Sequence, residues 1–393
     1  MSSGVWNLTS MTTSSPSIHP PQAKAPSRPR LRIACVYLRD KVPNYVVGTM
    51  AGIRFFRIAE ALARRGHEVD IVLNRQQAPQ TLAPRLREIP FKLARWDNYQ
   101  VVKTFFHRGF DSLVAEGGGD HPFIISKLGS VVGREQTAGV HFYGPVRESL
   151  YATQVEIAKR SKVVTVLTNR SAALWWKEHG HDSVLFQVPT GVDAEIPAPG
   201  ANPYHRFGID GPVALFAGNI YSRDQQAEIN ALWQDRLNRL GRALKRHGIS
   251  LVAMGFGATD LLQRDAVTHV GVVDAGEYWN WQHHAKVGIV LAQGPVQDNE
   301  SSKIYYYLRT GMPVISEASV PNLALIEHTG CGAIVPYGDI DAMADAVVAQ
   351  VAVRHDRAAI ADYMIRNHSW DSRAALYDSV LSAEGPMPAE LSA

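Results

Sequence analysis

Ser301-Ser302-Lys303-Ile304-Tyr305-Tyr306-Tyr307-Leu308-Arg309-Thr310-Gly311-Met312-Pro313-Val314-Ile315 is the stretch whose reading decides the fold. A polar loop opens onto a short helix, Gly311 stops it, and Pro313 leads into a β-branched strand. Helix N-termini attract anions because unpaired N–H groups and the positive dipole end point the same way. A lysine in the first turn runs against that dipole. Lys303 beside Ser301 and Ser302 therefore marks a diphosphate site, its plain alternative being a solvated lysine on a frayed turn.

On either side the chain alternates between strand and helix. Leu31–Leu38 reads as a strand, followed by a loop holding Pro43, Gly48 and Thr49. Phe55, Phe56, Ala59, Leu62 and Ala63 then recur at helical spacing up to Gly66, and Val69–Leu73 is the next strand. This is a βαβ opening, whose first loop faces the ligand crevice of a parallel sheet. Asp111–Ala115 is expected as a third strand and Ala138–Phe142 as a fourth. Val163–Leu167 and Val184–Val188 follow, with a helix between them N-capped by Ser171. After a Pro- and Gly-rich stretch from Pro197 to Pro212, the alternation restarts with Val213–Ala217, a helix around Leu232–His247 and Ser250–Met254. Val270-Gly271-Val272-Val273, a Trp-rich helix and Val287–Leu291 complete it. Two rounds of alternation predict two doubly wound α/β domains facing a cleft. The expected divisions are a leader at 1–30, a first domain at 31–196, a linker at 197–212, a second domain at 213–360 and a terminal helix within 361–393.

The 393 residues exceed one ordinary core, and 46% hydrophobic with 20% charged residues is globular. No apolar run approaches the ~18 residues of a membrane span, so a soluble, cytoplasmic protein is expected. The two cysteines, Cys35 and Cys331, lie far apart in apolar segments and build neither a disulfide framework nor a metal site. A net charge of +3 argues against nucleic acid as the main partner and permits contact with an anionic membrane face. Residues 1–30, rich in Ser, Thr and Pro and without an apolar core, read as a disordered leader rather than a signal peptide.

The run 301–315 resembles the nucleotide-sugar loop of GT-B glycosyltransferases, where a polar loop, a lysine, a short aromatic helix and Gly-x-Pro-Val-Ile recur in that order. Three further stretches are similar to that class, family 4-like: Leu62 to Val69 with its Gly-His-Glu-Val turn, Pro189-Thr190-Gly191-Val192-Asp193, and His368-Ser369-Trp370-Asp371. The Ser-Ser-Lys order is also similar to xanthan-type bacterial glucuronosyltransferases. The resemblance implies a GT-B fold of two Rossmann-like domains facing a cleft, the last helix returning to the first domain. The second domain would hold a nucleotide sugar, UDP-linked, and the first a glycan or lipid-linked acceptor of bacterial polysaccharide or glycoconjugate synthesis. His67 is read as structural.

Residue roles follow from the same resemblance. Lys303, with Ser301 and Ser302, would contact the diphosphate, and Asp298, Asn299 and Glu300 would hold donor-sugar hydroxyls. The second of two acidic residues typical of this loop falls on Tyr306, whose phenol cannot chelate two ribose hydroxyls as a carboxylate does. Gly218 and Asn219 end a strand where a second cation is usual, leaving Arg223 to supply it, and Val272 and Val273 stand where a backbone turn receives the nucleobase. An inverting transfer needs a general base from the first domain, for which Glu116, Asp120, His141 and Glu148 are the candidates, each also readable as structural. Glu116 is read as following an apolar strand; a retaining transfer needs no such base. Gly117-Gly118-Gly119 is no dinucleotide or ATP loop, and adjacent His283 and His284 make a poor metal pair, so neither cofactor nor metal is expected. Phe91–Phe110, mixing aromatics with Lys92, Arg95, Lys103 and Arg108, reads as an amphipathic helix that docks on anionic lipid or packs on the core. Two rivals remain: a catalytically silent homologue serving as a partner subunit, and a sugar-nucleotide 2-epimerase.

Overall fold

The computed structural model describes residues 30–39, 50–75, 77–135, 146–218, 220 and 223–384. The loop with Pro43, Gly48 and Thr49, the expected strand Ala138–Phe142, and the site candidates His141 and Asn219 lie outside the described residues.

The first sheet contains β1 (Arg32–Val36), β2 (Glu68–Val72), β3 (Gln80–Ala83), β4 (Leu86–Ile89), β5 (Val101–Phe105), β6 (Ile124–Lys127), β7 (Val163–Val166) and β8 (Val184–Gln187). Their order is β3-β4-β2-β1-β5-β6-β7-β8, parallel except for the β3–β4 hairpin. Around it lie α1 (Met50–Arg64), α2 (Phe106–Ala115), α3 (Arg147–Arg160) and α4 (Asn169–His179). The central strands carry apolar residues on both faces because helices cover both. In β1, for example, Ile33 and Cys35 join one hydrophobic cluster and Ala34 and Val36 another.

The second sheet has β9 (Val213–Ala217), β10 (Ser250–Met254), β11 (Val267–His269), β12 (Val287–Val290), β13 (Val314–Glu317) and β14 (Gly332–Val335), in the all-parallel order β11-β10-β9-β12-β13-β14. Its helices are α5 (Arg223–Lys245), α6 (Ala275–His284), α7 (Ser302–Arg309), α8 (Ala324–Thr329), α9 (Ile340–Ala352) and α10 (Arg357–His368). The last helix, α11 (Trp370–Glu384), returns to the first sheet, and its Trp370, Ala374, Tyr377, Val380 and Leu381 share a core with Phe55, Ile58 and Leu62 of α1. A parallel bridge between Val192 and Ser369 ties the outgoing and returning chain segments together.

Several local expectations are corrected. Asp111–Ala115 is the second half of α2 rather than a strand; Phe110 and Leu113 are buried at helical spacing, and the strand is Val101–Phe105. Phe91–Phe110 is not one amphipathic helix. It comprises 3-10 turns at Phe91–Leu93 and Trp96–Asn98, then β5 and the start of α2, with Tyr99, Lys103 and Phe105 buried and Lys92, Leu93 and Arg95 exposed. The N-cap of α4 is Thr168, whose hydroxyl accepts from the Ser171 N–H at 3.0 Å. Val270 to Val273 form the loop after β11. Among the described residues, no helix is long and apolar enough to cross a membrane.

Candidate functional site

Helix α7 is placed with little freedom. Its Tyr307 accepts from the Ala217 N–H at 2.7 Å and donates to the Leu215 carbonyl at 3.2 Å, fixing α7 against the end of β9. The helix stops at Gly311, whose φ of 65° lets its N–H reach the Leu308 carbonyl and the Met312 N–H reach Tyr307. A Cβ at Gly311 would also stand 2.3 Å from the Arg357 carbonyl oxygen. At the other end, Asn322 clamps Ser301 by accepting from its N–H at 2.8 Å and donating to its carbonyl at 3.0 Å. The hydroxyl of Ser301 makes no cap, and Ser302 begins the first turn half-buried.

Lys303 lies in this first turn and reaches across to the end of β9. A Cβ on Gly218 would come within 2.5 Å of Lys303 Cε and 2.8 Å of its Nζ, so only glycine leaves the ammonium room. The Nζ sits 5.1 Å from the Phe216 ring centre and 5.3 Å from that of Trp233. Burial pushes its pKa down to about 8, and no carboxylate pairs with it among the described residues. A half-buried cation against a glycine strand end and a helix N-terminus has the chemistry to receive an anion.

Across from α7, α1 contributes Arg54 and Arg57, which the sequence reading passed over. Arg57 pairs with Asp193 at 3.0 Å, and Arg54 lies 3.6 Å from Glu300 with its Nε unpartnered. Two arginines in the first half of a helix that follows a crevice loop, set among Ile53, Phe55, Phe56 and Ile58, were the available signal. Lys127, at the end of β6, donates to the Val188 carbonyl at 3.2 Å, and burial holds its pKa well below the usual lysine value.

The loop before α7 is tied to the first sheet throughout. Arg170 donates to the Gln297 carbonyl at 2.8 Å, and also to that of Ser319 after β13, Thr168 donates to the Asp298 carbonyl at 2.7 Å, and Asn299 donates to the Ser130 hydroxyl at 2.5 Å. Glu300 is buried among Thr190, Arg54 and Tyr305, so its carboxylate is already engaged by protein groups. Asp298 is half-buried, and burial raises its pKa against the opposing charge of Arg170.

Tyr306 faces the interior at 3% exposure, stacked at 5.2 Å on Trp279, with its hydroxyl unpartnered among the described residues. The Tyr278 and Trp279 rings of α6 thus pack against the residue that stands at the second acidic position of the resembling loop. Val272 is exposed and Val273 half-buried in the loop after β11, and Arg223 opens α5.

Among the base candidates, Glu116 caps the C-terminus of α2 and its carbonyl accepts from Trp96 Nε1 at 2.8 Å, while Asp120 pairs with Arg160 at 3.1 Å. Because α2 runs back from the end of β5, Asp120 stands where β6 begins, at the opposite end of the sheet from the crevice, whereas the Glu116 carboxylate pairs at 3.4 Å with Arg39, which follows the carboxyl end of β1. This corrects the placement of Asp120 as an acceptor-side base. Glu148, in the first turn of α3, is exposed. No cluster of three or more metal-ligating side chains occurs among the described residues. A cavity of about 540 Å³ lies between the halves, lined by the start of α4, Glu300, Tyr305, His328 and Tyr363.

No family model matches the chain, and no curated protein matches it in sequence. Solved structures do match. The chain is similar to sucrose-phosphate synthase from Thermosynechococcus elongatus, with a TM-score of 0.68 at 17% identity, covering 90% of this chain and 100% of that one. HepE from Anabaena in complex with UDP-glucose gives 0.63 at 11% identity over 90% and 100%. An α,α-trehalose-phosphate synthase (UDP-forming) from Burkholderia vietnamiensis gives 0.62 at 11% identity over 90% and 99%. Two parallel-sheet halves with a terminal helix crossing back are, with these likenesses, the GT-B fold.

Proposed function

We propose that the protein is a nucleotide-sugar-dependent glycosyltransferase whose second half binds the donor diphosphate at Lys303 and whose first half presents the acceptor, a glycan or lipid-linked sugar. The observation that carries this is Lys303 itself: an unpaired ammonium at the N-terminus of α7, in space that only Gly218 leaves open. A scaffold has no use for such a group, since an unpaired buried charge lowers stability. The fold neighbours with UDP or UDP-glucose bound favour a uridine diphosphate donor. In this reading the ammonium and the helix dipole stabilise the diphosphate as it leaves, and apposition of the halves orients donor and acceptor while excluding water.

The silent-homologue reading is favoured by one feature, the burial of Tyr306 where a ribose carboxylate was expected. Calorimetric titration of UDP, GDP, ADP and TDP into wild type and Lys303→Ala separates the two. Saturable binding of one nucleotide, weakened by the substitution, is expected; no binding of any would favour the silent partner.

A further inference from the structure

We propose that Glu300 is a positioning residue that holds the donor loop in register with the first sheet, and not a contact for donor-sugar hydroxyls; this rests on the reading of Lys303 as a diphosphate site. The Glu300 side chain is 1% exposed. Its Oε1 accepts from the Thr190 N–H at 2.7 Å and from the Thr190 hydroxyl, with Arg54 Nη2 at 3.6 Å. Its Oε2 accepts from the Tyr305 hydroxyl at 3.1 Å. Thr190 follows β8 and Arg54 belongs to α1, both in the first half, whereas Tyr305 lies on α7. One carboxylate thus gathers donors from both halves, one turn of chain before Lys303.

Its surroundings make the charge matter. Arg54, Lys127 and Arg373 converge on it, each 9% exposed or less, and Arg373 donates to the Thr190 carbonyl at 3.0 Å. With Glu300 neutral, the buried guanidiniums of Arg54 and Arg373 would lack an anion between them, and separation of the halves would relieve this by hydration. The ties from Thr168, Arg170 and Ser130 would then hold the loop without a charged anchor. Lys303 would keep its place on β9 through Tyr307 but lose its alignment with the strand ends opposite.

Small-angle scattering and UDP calorimetry on the full chain test this, using Glu300→Gln, Thr190→Val and Thr190→Ser. Glu300→Gln is expected to enlarge the radius of gyration, Thr190→Val to enlarge it less, and Thr190→Ser, which keeps the hydroxyl, to restore it. UDP affinity should stay within about twofold in all three, because the nucleotide is held by the second half. An unchanged radius in Glu300→Gln, with or without a lower unfolding midpoint, would overturn the proposal, leaving an internal strut. An unchanged radius with UDP-glucose, but not UDP, bound more weakly would also overturn it and return Glu300 to the sugar. Should Glu300→Gln not fold, the contrast between Val and Ser at 190 decides. Failure of the wild type to bind any nucleotide would sink the donor-site reading while the scattering comparison still decides the role of Glu300.

Discussion

At the scale of single residues, Lys303 and Gly218 act as a pair. The Lys303 ammonium, its pKa brought by burial from 10.5 to about 8, is already partly deprotonated in mildly alkaline solution. Diphosphate binding requires the charged form, so UDP affinity should fall by roughly tenfold per pH unit above that value, measurable by calorimetry between about pH 7 and about pH 9. The same shift has the opposite sign for folding. The unfolded chain holds the proton more tightly, so this group's contribution to stability rises with pH between about 8 and 10.5. Lys303→Ala should weaken UDP binding by about 10- to 100-fold, the value of a charge-assisted hydrogen bond, without lowering the unfolding midpoint. Gly218→Ala should fold, because the clash falls on the flexible end of a lysine, and should weaken binding by displacing that end.

At the scale of elements, α7 sets two neighbouring tyrosines in opposite circumstances. Tyr307 satisfies the Ala217 N–H, so Tyr307→Phe should orphan a buried donor, costing about 1–3 kcal/mol in chemical denaturation, and should loosen the helix from β9, weakening UDP binding with it. Tyr306 has an unpartnered hydroxyl, so Tyr306→Phe should leave the unfolding midpoint equal or higher and UDP affinity within about twofold. Which elements the sequence revealed follows from how their residues are buried. Central strands such as β1, β9 and β10 read as continuous apolar runs, and α1 as a periodic face ending at a glycine. The β5 strand was missed because Lys103 interrupts it, a lysine buried over the Phe105 and Tyr377 rings at 3.9 and 4.3 Å, and β6 because Ser126 and Lys127 make up half of its four residues. The Ser-Ser-Lys loop was legible because a cation at a helix start violates a local rule. Glu300 looked like a ligand group because its partner Thr190 is 110 residues away, a pairing that no local pattern carries.

At the scale of the whole molecule, the returning helix α11 makes the first half dependent on the end of the described chain. Leu31 N–H donates to His67 Nδ1 at 3.3 Å, which leaves the other ring nitrogen to donate to Asp378 at 2.9 Å. Burial alone would raise the Asp378 carboxyl, but hydrogen bonds from His67 and Arg65 outweigh it and hold its pKa below the ordinary 3.8. Its stabilising contribution is therefore complete above that value and lost as pH falls through the lower, folded-state pKa. Asp378→Asn should lower stability by about 1.5–3 kcal/mol, read by chemical denaturation at neutral pH, with the difference from wild type shrinking in acid. The route of the chain also bears on its synthesis. The polypeptide leaves the first sheet at Val192 and builds an entire second sheet before Trp370 brings it back. On the ribosome, β1 and α1 thus emerge first and find their covering helix late, so the flank beneath Tyr377 stays open throughout and is the surface a chaperone would have to shield.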